Sequence, residues 1–250
     1  MNELPPQPSS APQQKLTPEE LEEKIKAAVS IIKSCPLFPK RGGNYSDESV
    51  IEEKLGLVGE YSPEVILSDD VINSLAQLLV DSYLGGAGDA NIVLDIVPFL
   101  KPKKYFREEL RNKLSTNKLL HDEAGHIVSV MIRNGMNIMH HTRKFTIFLG
   151  IELSSLLREQ DVKNALAEYF FKLVQSAGRN SDEIIFSGIL NELPESDDEA
   201  DIQALLNEMK RQMSPHELEL LRKIILYGDE NNLNLKYKSI GIYKKCLGIN

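Results

Sequence analysis

The sequence predicts an all-α protein: an irregular multi-helix bundle or short α-solenoid-like array of about nine or ten helices, behind a disordered N-terminal tail. Three observations carry that expectation. Apolar residues recur at helical spacing, Ser/Thr-Pro strings open segments at Thr17, Ser62 and Ser214, and no alternating β-branched run is bounded by a hairpin turn.

Residues 1–16 hold Pro5, Pro6, Pro8 and Pro12 and almost no apolar side chains, so burial cannot offset the entropy of ordering them. Helix begins at Thr17-Pro18-Glu19-Glu20, where Thr17 can cap, Pro18 fits the first position and Glu20 completes a capping box. Leu21, Ile25, Ala28 and Ile32 then share one face, and Pro36 to Asn44 reads as a loop. A helix opening at Ser46 is expected to stop before Gly56, and Ser62-Pro63-Glu64 starts a short turn. Ser68 caps a segment whose inward residues are Val71, Ile72, Leu75, Leu78, Leu79 and Tyr83, broken at Gly85 to Gly88. Asp89 to Leu100 is strongly apolar, Lys101 to Lys104 is a basic connector, and Tyr105 to Leu114 is a charged helix.

Asn117 introduces a helix from about Lys118 to Asn134, with Leu120, Ala124, Ile127 and Met131 inward. Helical spacing continues through 138–158, 162–177, 181–193 and 198–213. Ser214-Pro215-His216-Glu217 then repeats the opening signal for a helix closing at Gly228. The Ser/Asp-rich stretch Leu193 to Asp201 divides a main helical domain, 17–193, from a C-terminal helical unit, 194–250.

Composition narrows the function classes. The chain has 250 residues, 42% hydrophobic and 26% charged, which suits a sizeable core. Asp and Glu outnumber Lys and Arg by 37 to 29, for a net charge of −8, and this argues against a general nucleic-acid binder. Cys35 and Cys246, at opposite ends, read as ordinary thiols in a reducing compartment. With no ~18-residue apolar run and no signal-peptide pattern, the expected location is cytoplasmic, although a dedicated secretion signal would escape this reading.

Four of the five histidines, His121, His126, His140 and His141, fall close together. The string Leu119-Leu120-His121-Asp122-Glu123-Ala124-Gly125-His126 resembles the His-Asp helix of the HD-type phosphohydrolases. The resemblance implies a divalent-metal site centred on His121, Asp122 and His126, with His140 or His141 assisting, and a metal-bound water as nucleophile on a phosphoester. That family also carries an upstream histidine. None precedes His121 here, so Asp81 or Asp95 would have to stand in. Glu123 and His126 form one i, i+3 pair of the kind that di-iron helices supply twice.

Other strings fall short of their chemistry. Asp197, Glu199, Asp201 and Glu208 match a calcium-loop spacing, but Ile202 stands where the loop needs Gly. The run Lys236, Tyr237, Lys238, Tyr243, Lys244 and Lys245 mixes basic and aromatic residues, as RNA- or membrane-surface segments do. Ile240, Ile242 and Leu247 fit a docked terminal helix equally well.

The function expected is therefore a non-catalytic helical interaction module, an adaptor, regulator or effector whose partner is another protein. The HD-like phosphohydrolase is the alternative and surface binding through the C-terminal segment a distant third.

Overall fold

In the computed structural model the described residues are 16–38, 45–85, 92–100, 104–135, 142–179, 183–231 and 239–249. The tail before Leu16, the loop 39–44, the glycine string after Gly85, His140, His141 and Lys236 to Lys238 lie outside them. Every element among the described residues is α-helical: α1 (Pro18–Lys33), α2 (Tyr45–Gly59), α3 (Pro63–Ile66), α4 (Asp69–Leu84), α5 (Ile92–Phe99), α6 (Lys104–Ser115), α7 (Lys118–Asp122), α8 (Ala124–Arg133), α9 (Arg143–Leu149), α10 (Leu153–Leu156), α11 (Gln160–Arg179), α12 (Glu183–Glu192), α13 (Glu199–Gln212), α14 (Pro215–Glu230) and α15 (Ile240–Cys246).

Fifteen helices exceed the nine or ten expected, and the excess has identifiable causes. The segment read as one helix from Lys118 to Asn134 breaks at Glu123, which sits at φ −95°, ψ 0°. The break lets α7 pack on α4 while α8 packs on both α4 and α11. The segment 138–158 ends its first helix at Gly150, whose φ of +68° is left-handed and easy only for glycine. Conversely, α2 runs through Gly56 to Gly59, because Ile51, Leu55 and Val58 form a fully buried stripe that outweighs the weak propensity of one glycine.

The two capping boxes form as the sequence specifies. Glu20 N donates to Thr17 Oγ1 and Thr17 N to Glu20 Oε2, at 3.2 and 2.9 Å. Ser214 and Glu217 repeat the exchange at 3.3 and 2.7 Å. Ser68 does occupy the N-cap of α4, but its hydroxyl donates back to Val65 O at 2.7 Å instead of accepting from the new helix.

Packing proceeds in chain order. α1 lies on α2, α3 and α4; α4 lies on α6, α7 and α8; α8 packs on α11, and α11 on α12, α13 and α14. α15 closes on α13 and α14, and buried side chains from Ala28 to Leu247 form one contiguous core. Every inward residue expected on α4, α7 and α8 is buried. The segment between α12 and α13 is tied to α15. Ser196 N donates to Ser239 Oγ at 2.9 Å, and the Tyr243 hydroxyl donates to Pro194 O at 3.1 Å. Among the described residues no helix is long and apolar enough to cross a membrane, and both cysteines are free thiols.

Candidate functional site

A groove of ≈ 810 Å³ lies between α1 and α4. The α1 wall arises from a heptad-like spacing. Ile25, Val29 and Ile32 line it, and Lys26 and Lys33 stand beside them on the rim. Ile32 is buried, whereas Ile25 and Val29 are only partly covered. The α4 wall presents Asp70, Asn73, Ser74, Gln77 and Asp81, which fall at i, i+3, i+4, i+7 and i+11 and so follow one face of that helix. Its opposite face carries Val71, Leu75 and Leu79, fully buried in the core.

One end of the groove is shaped by the chain that leaves α1. Phe38 N donates to the buried Ser82 Oγ at 3.2 Å, and the Phe38 ring meets Phe99 with centroids 6.0 Å apart. Those anchors hold Leu37 against the end of α4, where a methyl added at Gly85 would lie 3.3 Å from Leu37 Cδ1. Leu37 nevertheless stays 47% exposed.

The polar wall is internally ordered. Gln77 Nε2 donates to Asp81 Oδ1 at 2.8 Å, Ser74 Oγ to Asp70 O at 2.8 Å, and Asn117 Nδ2 to Asn73 Oδ1 at 2.8 Å. Cys35 also lines the groove, and burial pushes its thiol pKa up, so it is held as the weakly nucleophilic neutral form.

Of the histidine cluster, His121 and His126 lie among the described residues. His121 is exposed and its Nε2 donates to Ser115 O at 2.8 Å, closing the turn between α6 and α7. Asp122 is exposed at the end of α7, and the break at Glu123 places it on a different helix from His126. His126 Nδ1 lies 3.6 Å from Glu123 Oε2. His140, His141 and the side chain of Asp95 lie outside the described residues, and Asp81 faces the groove. Among the described residues no three His, Cys, Asp or Glu side chains gather at metal-binding spacing.

The other strings also resolve into structure. Ile202 is fully buried in α13, a helix launched where the calcium loop would have needed its turn. In the C-terminal run Tyr243 is buried, Lys244 pairs with Asp229 at 2.8 Å and Lys245 pairs with Glu199.

The groove was missed in the sequence, although its signal was present. Asp70, Asn73, Ser74, Gln77 and Asp81 trace a polar stripe that marks an unburied face of α4, while Lys26 and Lys33 repeat at seven residues on α1. Compared with known proteins, the chain matches no family model, no curated protein and no solved structure.

Proposed function

We propose that this chain is a non-catalytic interaction module that holds an amphipathic helix of another protein in the groove between α1 and α4. The observation that carries the reading is the apolar wall of part-covered Ile25 and Val29 and exposed Leu37, facing the polar wall of α4. Helix-in-groove recognition uses such a surface, with apolar anchors at i, i+3 or i+4 and i+7 of the guest. Shape favours a helix over a second copy of this chain, because two facing concavities would enclose a void where a convex guest fills it. The chain-ordered packing from α1 to α15 supports an open helical array over a closed bundle, with the groove formed by helices early in that order.

The test is site-specific photo-crosslinking from Gln77, on the groove rim, in the intact chain. The expected adduct maps to an apolar-striped helical segment of one partner and is lost in Val29→Lys with the circular dichroism spectrum unchanged. Adducts that fall within this chain, or that survive Val29→Lys undiminished, overturn the reading. So does a dimer in analytical ultracentrifugation that Leu37→Glu dissociates, since the groove would then belong to a second copy.

A further inference from the structure

The two walls of the groove carry opposite charge: Lys26 and Lys33 on the apolar α1 wall, Asp70 and Asp81 on the polar α4 wall. All four are exposed, and their spacing is regular. Lys26 and Lys33 are two helical turns apart, roughly 10 Å along the axis, and Asp70 and Asp81 three turns, roughly 16 Å. Lys26 pairs with Glu22 one turn earlier on its own helix, an exposed contact that a guest carboxylate can exchange for its own, and Asp81 accepts from Gln77; neither contact crosses the groove.

A helix lying between such walls feels a different sign on each flank. From this charge polarity, and on the reading that the groove takes a helix, we infer that the partner helix is split-charged. Acidic residues seven apart flank one side of its apolar stripe and face Lys26 and Lys33. Basic residues eleven apart flank the other and face Asp70 and Asp81. The lining covers residues 25–33 of α1 and 70–81 of α4, which gives a seat about 12–16 Å long for a guest contact of about three turns.

The polarity also sets direction. Turning a helix end for end about the groove normal exchanges its flanks, so a split-charged guest is complementary in one direction only. A uniformly acidic or uniformly basic guest gains on one wall what it loses on the other.

The experiment uses the full chain and four synthetic helices of 18 residues sharing one apolar stripe: split-charged, all-acidic, all-basic, and uncharged with Gln on both flanks. Fluorescence anisotropy is read at low and high salt. The split-charged helix is expected to bind about tenfold tighter than either uniform one at low salt, the sum of a few exposed ion pairs. That margin shrinks sharply near 1 M salt, where screening acts within about 3 Å. In Lys26→Glu/Lys33→Glu both walls become acidic, and preference should move to the all-basic helix. Circular dichroism verifies that these exposed substitutions leave the fold intact. Equal binding of all four helices leaves groove docking standing and overturns the charge inference. Binding of none, at concentrations up to the millimolar range, overturns the docking reading beneath it.

Discussion

Gly59 is the position where a single methyl group should do most harm for least chemical change. A Cβ there would lie 1.7 Å from Leu100 O and 2.6 Å from Leu100 C, both backbone atoms. Ordinary carbon–oxygen contacts lie near 3.3 Å or beyond, so the end of α2 must retreat from the end of α5 by well over an ångström. That retreat would loosen Leu55, Val58, Ile96 and Leu100, all fully buried. Overpacking of this kind costs about 1–3 kcal/mol, against which the better helix propensity of Ala returns up to about 1 kcal/mol. The expected result for Gly59→Ala is a net loss of about 1–2 kcal/mol in urea unfolding, with an unchanged m-value.

Gly125→Ala is the matched control. Its Cβ would lie 1.6 Å from Glu159 Oε2, numerically the worse clash. Glu159 is exposed, however, and the offending atom is the free end of a flexible side chain that can swing into water. Relief there is cheap, and α8 should gain about 0.4–1 kcal/mol from lower unfolded-state entropy and better helix propensity. Opposite signs from two equally close contacts isolate what matters, namely whether backbone or side chain must yield. Stability in Gly59→Ala equal to the parent would refute the close approach of α2 to α5. A loss above about 1 kcal/mol in Gly125→Ala would show that Glu159 is held in place.

Ser214→Ala removes the cap of α14 and should cost about 0.5–2 kcal/mol by denaturant titration. Its partner Glu217 has its pKa lowered, chiefly by the hydrogen bond from the Ser214 backbone N–H, so that contribution is present above the unfolded carboxylate pKa and fades as pH falls through the lower folded value; Glu217→Gln, which removes the titrating carboxylate, should flatten the acid limb of the stability profile, whereas Ser214→Ala keeps the backbone donor and should leave that limb in place. Burial, with help from Glu192, pushes the Tyr169 hydroxyl up to about 12. A raised pKa stabilises the fold below the unfolded tyrosine value near 10 and loses that contribution as pH climbs toward 12. Tyr169→Phe should accordingly remove one late-ionising phenol from the absorbance titration at alkaline pH. His121→Ala deletes the bond to Ser115 O and should cost about 0.5–1.5 kcal/mol by the same amount with or without Mn²⁺. A Mn²⁺-dependent rise in Tm that this substitution abolishes would restore the metal reading.

What the sequence disclosed was local. The capping boxes at Thr17 and Ser214 need only four consecutive residues, and both form at hydrogen-bonding distance. The inward stripe of α4 follows from periodicity alone, and it is buried as expected. The errors arose where distant packing decided the outcome. Nothing near Gly56 announces that Ile51, Leu55 and Val58 will be buried deeply enough to carry α2 past it. Nothing near Glu123 announces that α7 and α8 must turn to reach α4 and α11 together.

The same distinction separates the two candidate sites. The histidines stood out because they crowd together along the chain, yet proximity in sequence is poor evidence of convergence. On a helix, neighbours one residue apart point roughly 100° apart. His121 uses its ring to close a turn, Asp122 ends one short helix, and His126 sits in the first turn of the next. The groove has the opposite character. Its walls come from residues 25–37 and 70–81, far apart in the chain, and neither wall taken alone looks unusual. An apolar stripe edged by lysines is ordinary for α1, and an amide-and-acid stripe is ordinary for the outer face of α4. Their meaning comes from being set opposite each other, with Leu37 pinned between them and left uncovered. The docking role proposed for the groove asks for no diagnostic residue, only complementary faces brought together by the fold, which is why the candidate favoured by the structure was the least conspicuous one in the sequence.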